Sequence, residues 1–194
     1  MPVTLAIAAE YREEIRKSRF IAQAVPIEHP GEVAGWLERL GDRAASHNCW
    51  AWKVGAQCRF SDDGEPGGTA GRPILAAIEG QDCDQVLVLV TRWYGGIQLG
   101  TGGLARAYGG SANKCLQTAE RRELLQLTRC SCQCGFAELP LLKARLAQFQ
   151  AQLEGERFDA TGAELSLALP AEQIAGLARV LADISRGRAQ LRLG

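Results

Sequence analysis

The stretch QVLVLVTRWYGGIQLGTGGLARAYGGSANKCLQTAE, Gln85 to Glu120, changes its local grammar twice. QVLVLV is an apolar, β-branched run of the kind that a strand buried on both faces requires. From Leu104 to Glu120 the pattern is helical, with Leu104, Ala107, Tyr108, Ala112, Cys115 and Leu116 available to one face. Between them, from Arg92 to Gly103, lies a glycine-rich loop that opens the helix. A helix start leaves backbone N–H groups unpaired at the positive end of the peptide dipole, an arrangement that favours an anion. Thr101, Gly102 and Gly103 are therefore candidate anion contacts, flanked by Arg92 and Arg106.

Working outward, RFIAQAVP (Arg19 to Pro26) reads as a strand and HPGEVAGWLERLGDRAA (His29 to Ala45) as a helix with Val33, Trp36, Leu37 and Leu40 in phase. HNCWAWKVG alternates, so His47, Cys49 and Ala51 share one face of a strand while Trp50, Trp52 and Val54 share the other, the tryptophan face being the one expected against the core. Pro73 is suited to the first turn of a helix through ILAAIEG. The first half thus reads strand, helix, strand, loop, helix, strand, helix.

After Leu127 the order becomes LTRCSCQCGF strand, ELPLLKARLAQFQ helix, QLEGERFDA strand, ELSLALP strand, AEQIAGLARVLADIS helix and RAQLRLG strand. This βαββαβ order is that of ferredoxin-like domains. The expected class is α+β, with two α/β-sandwich domains over residues 1–127 and 128–194.

The chain has 194 residues, 46% hydrophobic, enough for a substantial core. Neither the first residues, MPVTLAIAAEYREE, nor any later segment has the pattern of a signal peptide or a membrane span, so a cytoplasmic protein without a membrane partner is expected. Seven cysteines, mostly scattered, suit reduced thiols better than a disulfide framework. Formal net charge is zero, and neither half departs far from neutrality, which argues against coating nucleic acid through bulk electrostatics and leaves only a local patch.

Four motifs invite chemistry. Cys130, Cys132 and Cys134 form C-x-C-x-C, which lacks the knuckle spacing of zinc sites and on a strand places three small apolar side chains on one face. His47 beside Cys49 could activate a thiol, yet no third orienting group is identifiable. Gly100, Gly102 and Ala105 match G-x-G-x-x-G/A, but the tight turn and the second βαβ half are missing. SDDGEPGGTAGRP, Ser61 to Pro73, holds three carboxylates and four glycines in thirteen residues. Asp62, Asp63 and Glu65 could bind a divalent cation or cap loop N–H groups and pair with Arg72; the order of a calcium loop is absent, and bracing is the favoured reading. No cofactor is expected.

Together, KSRFIA (Lys17 to Ala22), HNCWAW, SDDGEPGGTAGRP and TRWYGGIQLGTGGLARAYG (Thr91 to Gly109) resemble the IMPACT family, specifically its bacterial YigZ-like members. Arg186 to Arg188 resembles the family's S-R-G run, and Gly68 departs from the alanine that bacterial relatives often carry. The resemblance implies a first domain like the second domain of a small-subunit ribosomal protein and a ferredoxin-like second domain like the last domain of the translocase elongation factor. In eukaryotic members an additional amino-terminal domain competes for the activator of an initiation-factor kinase. That domain is not matched here, so the kinase-regulating role does not carry over. The expectation is a non-enzymatic module that associates with RNA or the ribosome and is linked to regulation of translation, with Arg72, Arg92 and Arg106 as its positive contacts. A metal-assisted hydrolase or phosphate-ligand enzyme, using the acidic and glycine-rich loops, is the alternative, and a protein-binding adaptor stays open.

Overall fold

The computed structural model describes residues 2–124 and 127–194. The chain divides into two compact units, one ending at Leu124 and the other comprising the described residues from Leu127 onward. Leu127, assigned by its sequence to the first domain, begins a strand of the second unit.

The first unit runs β1 (Val3–Leu5), β2 (Ala9–Ile15), β3 (Ser18–Pro26), α1 (Val33–Leu40), β4 (His47–Val54), β5 (Gln57–Ser61), α2 (Gly71–Gly80), β6 (Val86–Trp93), α3 (Gly100–Thr118) and β7 (Arg121–Glu123). Five strands form an antiparallel sheet in the order β2-β3-β6-β4-β5, while β1 pairs with β7. The apolar run makes β6 the central strand. Its Val86, Val88 and Val90 enter the main core beneath α2 and α3, and Leu87 enters a smaller core beneath α1 with Val25, Ile27, Val33 and Trp52. Each such side chain, fully buried, contributes about 1.5–3 kcal/mol.

The helical face read from Leu104 to Leu116 is buried as expected, joined by Ser111. Several other expectations need correction. Arg92 and Trp93 belong to β6 and not to the loop, because both stay in register with β3, Arg92 opposite Phe20 and Trp93 opposite Arg19. α3 begins at Gly100, so the GTGG run is its first turn. α1 stops at Leu40: Gly41 is extended, and the Asn48 side chain binds Asp42 at both N–H and carbonyl, holding the following segment as a turn. β4 is buried on both faces, with Cys49 and Ala51 in the main core and Trp52 in the smaller one. β2 and β5, both edge strands of largely polar composition, escaped the sequence reading.

The second unit runs β8 (Leu127–Gly135), α4 (Leu139–Lys143), β9 (Gln152–Phe158), β10 (Gly162–Pro170), α5 (Ile174–Ser185) and β11 (Arg192–Leu193). Its antiparallel sheet has the order β11-β8-β10-β9, so the βαββαβ reading holds. The single helix expected over Glu138 to Gln150 is instead α4 followed by a separate 3-10 turn, Leu146–Phe149, with Leu139, Leu142 and Leu146 in the core. Cys130, Cys132 and Cys134 lie opposite Leu167, Leu165 and Ala163 and share their apolar face. Burial, with the two neighbouring thiols, pushes the Cys132 thiol up to about 12.

Candidate functional site

The acidic loop is organised around Asp62. Its Oδ1 accepts hydrogen bonds from Ala70 N–H and Gly71 N–H at 3.1 and 2.8 Å, and its Oδ2 accepts one from Gly68 N–H at 2.8 Å. This carboxylate, remote in sequence, therefore caps α2 two residues before the proline that was expected to open it. Asp63 turns the other way. Its carboxylate accepts Asn48 N–H at 2.6 Å, and its carbonyl lies 2.7 Å from His47 Nδ1. Since a carbonyl only accepts, Nδ1 carries a proton, and Nε2 lies 3.7 Å from Glu65 Oε1.

Glu65 points inward. Its Oε1 accepts from Arg92 Nη1 and from the Tyr108 hydroxyl, each at 2.6 Å. Arg92 Nε and Nη2 both donate to Ser18 Oγ at 3.3 Å, and its guanidinium lies 5.8 and 5.4 Å from the Phe20 and Tyr94 rings. The Glu65 and Arg92 side chains are 4% and 6% exposed. Removing two such charges from water costs several kcal/mol per ion, and the hydrogen bonds from Tyr108 and to Ser18 help to offset that cost.

Above this pair lies a cavity of about 450 Å³, lined by His47, Glu65, Pro66, Arg92, Tyr94, Gln98, Leu99, Gly100, Thr101 and Leu104. The first turn of α3 forms one wall, and no N-cap side chain satisfies it. Leu99 also lines an adjoining hollow with Arg16, Arg106 and Lys114. Tyr94 is half exposed.

The sequence-predicted residues disperse into distinct roles. Arg92 and Thr101 reach the cavity. Gly102 and Gly103 are in the first turn of α3, and Arg106 lies along that turn facing the adjoining hollow. Arg72 is exposed beside Phe60, at 5.7 Å from the ring, and lines neither cavity. The carboxylate pairing expected with Arg72 is made instead by Glu65 with Arg92. Among the described residues, no group of three or more His, Cys, Asp or Glu side chains could hold a metal ion.

Cys49 does not partner His47. Its thiol donates to the Asp62 carbonyl at 3.0 Å, and burial, reinforced by the charges of Glu65, Asp63 and Asp62 and opposed by a hydrogen bond with Tyr108, pushes it up to about 12. The Tyr108 hydroxyl is likewise raised well above the tyrosine range, by burial first and then by Cys49 and Glu65. The helical spacing marks Tyr108 only as a packing residue, and nothing in the sequence singles out Ser18 or Tyr94. A tyrosine in a core position was the available signal, because a buried phenol needs a partner for its hydroxyl.

Burial opposes ionisation of Asp62, but the N–H groups of Gly68, Gly71 and Ala70 more than compensate and hold its carboxyl below the ordinary aspartate range. With a folded value below the unfolded one, its stabilisation is complete above the unfolded value and is lost as pH falls through the folded one. Asp62→Asn is expected to lower the thermal midpoint at neutral pH and to flatten its decline below about pH 4. A decline as steep as that of the parent would assign it to other carboxylates.

An antiparallel sheet backed by two helices, with a buried ion pair beside a cavity at a helix start, defines an α+β domain, which is joined to a ferredoxin-like one. The chain matches the Impact N-terminal domain over residues 16–116 and a domain of unknown function, DUF1949, over residues 132–188. It is 40% identical over 186 residues to IMPACT family member YigZ of Escherichia coli (strain K12), covering 92% of this chain and 91% of that one. To the IMPACT family member in pol 5'region of Thermus thermophilus it is 39% identical over 175 residues, 90% of this chain and 97% of that one. Protein IMPACT of Xenopus laevis matches over 95 residues at 36% identity, 44% of this chain and 30% of that one. A crystal structure described as that of a hypothetical protein superposes with a TM-score of 0.75 at 38% identity, covering 97% and 95% of the two chains. The chain belongs to the IMPACT family.

Proposed function

We propose that the chain is a non-enzymatic module that binds RNA, free or within the ribosome, and so takes part in regulating translation. The observation that carries this reading is the surface around the start of α3. Exposed Arg16 and Arg106 line one hollow, the half-exposed Tyr94 ring lines the next, and Leu99 joins the two. Cations beside an accessible aromatic ring and unpaired helix N–H groups are the physical elements of single-stranded RNA binding. The near-neutral chain concentrates these elements locally, and Lys114 contributes little because Glu13 pairs with it at 2.7 Å. Asp62 and Asp63 are committed to backbone donors, which disfavours the metal-assisted alternative. Among the described residues no helix is long and apolar enough to cross a membrane.

Co-sedimentation with ribosomes across a salt series tests the reading. Binding is expected to weaken as salt rises, because each neutralised phosphate releases counterions. Arg16→Ala combined with Arg106→Ala should weaken it further and reduce the logarithmic salt slope by roughly one for each phosphate contact removed. No co-sedimentation at low salt would overturn the proposal; an unchanged slope in the variant would remove these two residues from it.

A further inference from the structure

The Glu65 carboxylate is only half satisfied by the protein. Arg92 and Tyr108 both donate to Oε1, and His47 Nε2 lies 3.7 Å from the same atom. Oε2 has no donor among the described residues, although the side chain is 96% buried. Since those residues contain no fully buried side-chain oxygen or nitrogen lacking a hydrogen bond, Oε2 keeps some exposed surface, and Glu65 lines the cavity. An oxygen so placed can accept a hydrogen bond from water or from a ligand that displaces it.

Charge decides what kind of donor. Arg92, 2.6 Å away, already balances Glu65, so a second cation would be in excess and a neutral hydroxyl is the matching group. The α3 start and Thr101 lie on the same cavity wall and favour an anion, and Tyr94, half exposed with the Arg92 guanidinium 5.4 Å from its ring, also lines the cavity. A hydroxyl donor, an anionic phosphate and a stacking base occur together in a ribonucleotide. The volume of about 450 Å³ suits one small ligand unit, and a base paired within a duplex cannot enter it.

We infer that the cavity receives one unpaired ribonucleotide of an RNA strand and that Glu65 accepts a hydrogen bond from its 2′-hydroxyl. This inference rests on the RNA-binding reading and adds to it a preference for RNA over DNA. The 2′-hydroxyl is the group that separates the two polymers, and a hydrogen bond to a charged acceptor corresponds to roughly a ten- to hundredfold difference in affinity.

The test is fluorescence anisotropy with one short single-stranded sequence prepared as RNA, as DNA and as 2′-O-methyl RNA, at a fixed salt concentration. RNA is expected to bind at least about tenfold tighter than DNA, and 2′-O-methylation, which removes the donor, should abolish that advantage. In Glu65→Gln, once a thermal melt shows it folded, the RNA to DNA ratio should fall toward one; if it does not fold, the parent's three-ligand comparison decides. Equal binding of RNA and DNA would overturn the 2′-hydroxyl assignment and leave the nucleic-acid reading standing. Binding of neither polymer, or of a free ribonucleoside monophosphate alone, would overturn both.

Discussion

Replacing Arg92 with alanine is expected to destabilise the first unit by about 3–5 kcal/mol, the usual consequence of removing one member of a buried ion pair. Glu65, 96% buried, would keep the Tyr108 hydroxyl but lose its counter-charge, while Ser18 would lose both guanidinium donors. Urea denaturation measures the effect directly. Much of the cost comes from the charge left behind, so Arg92→Met combined with Glu65→Leu should lose less than Arg92→Ala alone. A single-variant loss below about 1 kcal/mol, the level of an exposed pair, would contradict the buried-pair assignment. Arg92 is consequently a poor residue with which to test RNA binding, since its removal disturbs folding first. The exposed Arg16 and Arg106 serve that purpose.

The second large effect is expected at Gly95. A Cβ built there would lie 1.9 Å from the Lys17 carbonyl oxygen and 2.1 Å from its carbon, and backbone atoms cannot move aside as a flexible side chain can. Lys17 belongs to the two-residue turn joining β2 to β3, where Arg16 and Lys17 both have left-handed φ, 46° and 63°. That turn already uses a conformation that costs residues with a Cβ. Gly95→Ala must therefore push a constrained hairpin tip away from the loop that carries Tyr94 to the cavity. A loss of about 3 kcal/mol, the upper part of the usual range for overpacking, is expected by chemical denaturation, together with weaker RNA binding. Gly110→Ala is the control: it lies within α3 with nothing within 4 Å of the added Cβ, and should stabilise by up to about 1 kcal/mol. Equal stability of the two variants would mean that the Gly95 contact relaxes freely.

Much of the architecture was legible because it is written in short-range patterns. The QVLVLV run identified the central strand, the spacing from Leu104 to Leu116 identified the buried face of α3, and the order of elements after Leu127 identified the ferredoxin-like unit. The C-x-C-x-C run was legible as one strand face because side chains alternate along a strand whatever surrounds it. The polar edge strands β2 and β5 were missed because an edge strand need not carry a continuous apolar signal.

The candidate site was only partly legible. Its ingredients, a glycine-rich helix start, an acidic loop and several arginines, stand out in the chain, but their partners do not. Arg92 finds Ser18 across 74 positions, Glu65 finds Tyr108 across 43, and Asp62 determines where a helix begins eight and nine residues away. Hydrophobic period is a property of neighbouring residues, and the sequence by itself determined the two-unit α+β plan through it. The partner of a charge depends on which distant segments the completed sheet brings within hydrogen-bonding distance. Only the tertiary structure could decide that Arg92 is a buried brace and that Glu65, not Asp62 or Asp63, is its partner.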